Sequence, residues 1–159
     1  MRTVSTGLVV FAGLVAAPAA NPADDSAVVP EDTRLVRLQQ FFEEKACPAQ
    51  RFAEDFIAAA DRNSLDWRLL PSIAVIESGG GKAYKNNNIF GWGNGNFRFN
   101  SIREGIHEVA RMLATSPSYR NKTVDEILRV FNPEHGDYVL RVKTVMRQIA
   151  RTEIASAFN

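Results

Sequence analysis

The chain has 159 residues, with 19 Lys and Arg against 18 Asp and Glu and a single cysteine. The near-zero balance excludes a strongly basic nucleic-acid binder, and one cysteine excludes an intrachain disulfide framework. With an N-terminal leader set aside, the length suffices for one domain around one core and not for two.

Residues 1–19 read as a secretory signal peptide. Arg2 gives a small positive start, residues 8–17 are an unbroken apolar and small-residue run, and Ala17-Pro18-Ala19 offers a cleavage site. The run is about half of what spans a bilayer, and no later stretch is long and apolar enough. The mature chain is therefore expected to be exported to the periplasm, cell wall or medium, free of the membrane, and monomeric. Residues 20–32, rich in Pro, Ala and Asp, read as a flexible acidic linker, and 33–159 as the globular domain.

Helices are predicted over 33–45, with Leu35, Leu38 and Phe42 on one stripe, and over 48–62, with Phe52, Phe56, Ile57 and Ala60 on another and Pro48 in the first turn. Cys47 between them reads as a small buried packing residue. A third helix can be capped by Asp66; Pro71 either kinks it or marks its true start, and Gly79-Gly80-Gly81 ends it. Six glycines between 79 and 95, with Asn86-Asn87-Asn88, Asn94 and Asn96, break the helical pattern. Asn94-Gly95, between Trp92 and Phe97, signals a short β-hairpin. Ser101 and Glu104 form a capping box opening a helix to about Ala114, with Ile106, Val109, Ala110 and Leu113 buried. Thr123 and Glu126 repeat the device for a shorter helix, and Asp137 can cap a last one with Val139, Val142, Met146 and Ile149 inward. The fold class is mainly α with one small β excursion.

Glu77 stands apart in this pattern. It is the only acid between Asp66 and Glu104, and the apolar run Leu69-Leu70-Pro71-Ser72-Ile73-Ala74-Val75-Ile76 leads directly into it. At the C-terminal end of a helix the macrodipole disfavours a carboxylate, and Ile73 and Ala74, one turn back, would desolvate it. Both effects favour the protonated form that a general acid needs. A solvated Glu at a frayed helix end is the bland alternative. Beyond it, residues 78–122 carry seven bases (Lys82, Lys85, Arg98, Arg103, Arg111, Arg120, Lys122) against Glu104 and Glu108. That suits an anionic polymer passing the carboxyl, although scattered surface charge is the commoner explanation.

The run from Leu69-Leu70-Pro71 through Glu77-Ser78-Gly79-Gly80-Gly81-Lys82, then Asn87-Asn88-Ile89-Phe90-Gly91-Trp92, then Phe99-Asn100-Ser101 opening a helix, resembles the glucosaminidase branch of the lysozyme-like superfamily. Its members are bacterial enzymes that cut the glycan strands of peptidoglycan. The resemblance covers residues 48–150. It implies a lysozyme-like helical domain with a small β-hairpin after the catalytic helix, peptidoglycan strands as the partner, and no metal or cofactor. It makes Glu77 the catalytic acid, followed by Ser78 in the signature, with Asn88, Phe90 and Gly91 shaping the cleft floor. Trp92, with Tyr84 as a further candidate, could stack on sugar faces. Phe131-Asn132-Pro133 followed by Tyr138 is similar to the tyrosine segment such enzymes set opposite the acid, with Tyr119 as the competing tyrosine. Structural alternatives stand beside each: hairpin core for Phe90 and Trp92, turn formation for Asn86 to Asn88, a half-buried helix edge for either tyrosine.

One departure bears on mechanism. Many glucosaminidases carry a second carboxylate in the β excursion, yet residues 78–103 contain no Asp or Glu. Glu104 is the nearest, and its place in a capping box explains it. The expectation is a single-acid enzyme, in which either the substrate's N-acetyl oxygen stabilises the sugar cation or its 6-hydroxyl closes an anhydro ring, as in lytic transglycosylases. The Gly-Leu-Met-Gln and Ala-Tyr-Asn-Ala-Gly motifs of the soluble lytic transglycosylases are absent. His107 and His135 lack partners at metal-ligand spacing, and neither has a local context that would make Ser78 a triad nucleophile. Gly79-Gly80-Gly81-Lys82 follows a helix, not the strand a phosphate loop requires. The rivals from other classes are a cell-wall binding module without turnover and a helical interaction domain.

Overall fold

The computed structural model describes residues 32–153. The expected leader, and all of the expected linker but Asp32, lie outside the described residues. So do 154–159 at the other end. Among the described residues there are six α-helices and no strand: α1 (Thr33–Glu44), α2 (Ala53–Arg62), α3 (Leu69–Ser78), α4 (Ile102–Thr115), α5 (Val124–Phe131) and α6 (Tyr138–Arg151), with a 3-10 segment at Pro48–Phe52.

Helix boundaries follow local chemistry. The Asp32 carboxylate accepts from the Arg34 amide at 2.9 Å, so the last residue of the expected linker is the cap of α1. The predicted helix over 48–62 is divided, because Pro48 opens it as a 3-10 segment before α2 begins. Asp66 accepts from the Arg68 amide at 3.0 Å, but α3 itself starts at Leu69. Pro71 then falls in the first turn, where a missing N–H leaves no bond unmade, so it marks a start and introduces no kink. Gly79, at φ +62°, ends α3, its amide donating to the carbonyls of Ala74 and Val75. Thr123 and Glu126 complete a reciprocal capping box on α5. On α4 the box is half made: Ser101 accepts from the Glu104 amide at 3.0 Å, while the Glu104 carboxylate reaches past it to the Asn100 amide at 2.8 Å.

The core lies where α2 packs on α4 and α3 on α6. A row of phenylalanines runs through it, with ring centroids 6.0 Å apart for Phe41 and Phe42, 5.7 Å for Phe42 and Phe56, and 6.2 Å for Phe56 and Phe90. Leu70, Ile73, Ile106 and Val142 surround it, all fully buried. Each such side chain contributes roughly 1.5–3 kcal/mol by leaving water.

The β-hairpin does not form. Gly91, Gly93, Asn94 and Gly95 all have positive φ, between +55° and +74°, so the backbone coils where a hairpin would extend. The Gly95 amide closes on the Gly91 carbonyl at 2.8 Å and that of Asn96 on Gly93 at 3.1 Å. Asn94-Gly95 does supply the left-handed turn its sequence advertises. Its flanks pair with side chains instead of each other, and the segment is a compact knot of turns between α3 and α4.

Candidate functional site

The end of α3 is held by its own glycines. Gly80 lies against Cys47 so closely that a Cβ there would meet Sγ at 2.5 Å, and the Ala49 amide donates to the Gly80 carbonyl at 3.0 Å. Burial pushes the Cys47 thiol up from its ordinary value, consistent with a packing role. Ser78 is buried and spent on the same device: its hydroxyl donates to the Ala74 carbonyl at 2.9 Å and accepts from the Gly81 amide at 3.1 Å. With the helix end fixed on both sides, Glu77 projects from its half-buried last turn.

Glu77 opens on a cleft of about 740 Å³. One part of the lining is Gly91, Trp92, Gly93, Asn94 and Gly95; another is Val130 to His135, from the end of α5 and the connection to α6; Tyr119 completes it. Among the described residues Glu77 makes no ion pair. Gly91, at φ +63°, lies against it, and a Cβ there would stand 2.8 Å from Glu77 Oε2. Glycine is required here twice over, for its backbone angle and for the carboxyl's room.

Asn88 builds the segment that carries Gly91. Its side chain accepts from the Trp92 amide at 2.9 Å and donates to the carbonyls of Trp92 at 2.9 Å and Phe97 at 3.1 Å. Three bonds from one buried amide fix Trp92 at the cleft edge. The Trp92 ring lies 5.7 Å from Tyr119 and 5.6 Å from Phe131, and Phe131 stacks on Tyr138 at 6.0 Å. This second aromatic row leads from the cleft to the rear of Glu77.

Tyr138 ends that row and is 1% exposed. Its hydroxyl is buried beside Glu77, and burial first, then the interaction with that carboxylate, push its ionisation far above the ordinary tyrosine range.

The expected site residues therefore divide. Glu77, Gly91, Trp92 and Tyr119 are brought together at the cleft. Ser78, Asn88, Phe90 and Tyr138 are buried and do not line it: Ser78 and Asn88 spend their polar atoms on loop backbone, Phe90 is core, and Tyr138 meets the lining from behind, through Phe131 and Glu77. Burial leaves these four little surface to present to the cleft. Tyr84 faces a separate hollow beside Arg51 and Phe52. None of the seven bases between 78 and 122 lines the cleft, although Lys85 lies beside Gly95 of its wall.

Asn132, Glu134 and His135 are cleft residues that sequence reasoning did not single out as such. Phe131-Asn132-Pro133 was the available signal, and the residues after it carried none. Glu134 is the second carboxylate of the lining. It is exposed and has no ion pair or hydrogen bond among the described residues, whereas His135 Nδ1 lies 2.9 Å from Asn132 Oδ1. No group of His, Cys, Asp and Glu among the described residues is arranged to hold a metal, and no helix among them is long and apolar enough to cross a membrane. Comparison with known proteins returned no matching family model, no matching curated protein and no matching solved structure.

Proposed function

We propose that this chain cleaves the glycan strands of peptidoglycan, with Glu77 as the general acid. The observation that carries the reading is the setting of that carboxyl: at the end of a buried helix, without an ion-pair partner among the described residues, on the wall of a cleft lined also by Trp92 and Tyr119. A glycosidic oxygen leaves poorly until protonated. Glu77 gives it a proton, the C1–O bond breaks with its electron pair going to that oxygen, and positive charge develops on the sugar ring. The exposed edges of Trp92 and Tyr119 offer flat apolar surface to pyranose faces, and Asn94 and Asn132 offer amides to N-acetyl groups.

The attacking group is assigned to the substrate. Glu134 is unheld on a connecting segment, and a base that must meet a water within tenths of an ångström needs supporting contacts it lacks. The reading is thus a single-acid β-N-acetylglucosaminidase-like enzyme, with the N-acetyl oxygen capturing the cation before water does. Anhydro-ring closure by the 6-hydroxyl of a muramic acid is the variant that makes it a lytic transglycosylase. A leader over 1–19 places the enzyme where such a substrate is found.

Digestion of purified sacculi, with fragment masses taken before and after borohydride reduction, tests this. Reducible ends identify a hydrolase and the bond it cuts; non-reducible anhydro ends identify a transglycosylase. Pelleting with sacculi without release of fragments would leave a binding module, and neither pelleting nor release would sink the reading.

A further inference from the structure

A second depression, of about 710 Å³, lies between α5 and α6, and its lining shares Asn132, Pro133 and His135 with that of the cleft. The two are therefore neighbours across one rim. Their chemistry differs. The cleft contains no Lys or Arg, whereas the depression carries Arg129, Lys143 and Arg147 against the single acid Asp125. Asp125 is already engaged by Lys143 Nζ at 2.8 Å, and neither arginine forms an ion pair among the described residues, although the charge of Arg129 is felt by Glu126 one turn back on α5. Arg147 donates to Thr144 Oγ1 at 3.0 Å and retains further guanidinium donors; Arg129 stands in the last turn of α5. Val139, Lys143 and Arg147 recur every four residues along α6 and so form one stripe, and beside them Leu140 is 64% exposed.

We propose that this depression is a subsite for the carboxylate-bearing peptide attached to the glycan strand. The inference rests on the peptidoglycan reading of the cleft. Charge complementarity and the shared rim select the occupant: a strand lying along Glu77 carries its peptide branches sideways, and a branch crossing the Asn132–Pro133 rim enters the basic groove. Arg129 and Arg147 then receive carboxylates, for which the planar guanidinium is suited by its paired donors, while Val139 and Leu140 meet alanine methyl groups. Lys143 remains with Asp125. His135, on the rim, belongs to both surfaces and is bonded to Asn132.

The test has two arms. In the first, wild type and an Arg129→Gln/Arg147→Gln double variant are compared on strands that keep their peptides and on strands stripped by an amidase, with thermal melting as the check on folding. The wild type should show a KM about tenfold lower on peptide-bearing strands, an advantage that shrinks with added salt and is lost in the variant, with kcat unchanged. Equal KM values for the two substrates in the wild type, or an advantage the variant keeps, would overturn the proposal while leaving the reading of Glu77 standing. In the second arm a free alanyl-γ-glutamyl stem peptide is titrated into Glu77→Gln protein and followed by NMR shifts, which requires no turnover. Shifts along α5 and α6 that vanish in the double variant support the subsite even where the wild type cleaves nothing. No shifts there, or equal binding by an inorganic polyphosphate, would overturn it.

Discussion

Two aromatic rows run through this molecule, and they are built for different ends. Phe41, Phe42, Phe56 and Phe90 form one with no polar atom in any side chain, each of them buried. Tyr119, Trp92, Phe131 and Tyr138 form the other, in which three of four rings carry a polar head and only Tyr138 is buried. A hydroxyl or indole N–H inside a core is costly unless satisfied, so a row built purely for stability omits them, as the first does. The second row keeps them at the cleft and beside Glu77. Ring spacing is nearly the same in both, at 5.6–6.2 Å, so geometry alone does not distinguish stability from site. The polar atoms and their exposure do.

Removing a ring from the closed row should have the largest effect on stability. Phe56→Ala is expected to cost about 3–5 kcal/mol by denaturant unfolding, with residual kcat near wild type while the protein stays folded. A loss below about 1 kcal/mol would mean that the row is not the core. Gly91→Ala tests the cleft side. Its left-handed backbone and the crowding of Glu77 Oε2 should cost about 1–3 kcal/mol in stability and reduce kcat by tenfold or more, since the carboxyl must move.

Tyr138→Phe sharpens the comparison by making the second row more like the first. Burial, reinforced by the Glu77 charge, holds the folded-state pKa of Tyr138 above its unfolded value, which lies near 10. The unfolded chain therefore releases a proton above about pH 10 that the native chain keeps, and native stability falls as pH rises from there. That loss, up to about 1.4 kcal/mol per pH unit for one group, should be shallower in Tyr138→Phe, as thermal melts between pH 9 and 11 will show. Near neutral pH the variant should melt within a few degrees of wild type, because the buried ring and its stacking on Phe131 are kept. Glu134→Gln should change least, with kcat within about threefold of wild type; a hundredfold loss would instead identify Glu134 as the second carboxylate of a two-carboxylate mechanism.

Much of this was legible in sequence where local chemistry decides the structure. Thr123 with Glu126 caps α5, Ser101 caps α4, and the glycines after Ser78 end α3 one residue beyond Glu77. Pro71 could be read either as kink or as start, and its distance from Leu69 settled the matter. The misreadings share one physical origin. Asn94-Gly95 specifies a turn but says nothing of whether its flanks pair, and Asn88 takes the backbone groups a hairpin would have used. Ser78 and Phe90 sit at positions where the motif marks importance without saying whether it lies in chemistry or in packing, and burial assigns both to packing. The wall contributed by Val130 to His135 depends on how α5 meets α6, a contact distant in sequence from Glu77. No local period encodes it.

The most direct test of the central claim is the release of soluble fragments from peptidoglycan by wild type and by Glu77→Gln, with co-sedimentation and thermal melting recorded on both. A proton donor at position 77 requires that the variant fold, pellet with the wall as the wild type does, and release fragments about 10²- to 10⁴-fold more slowly. Fragment release by the variant at the wild-type rate would contradict it.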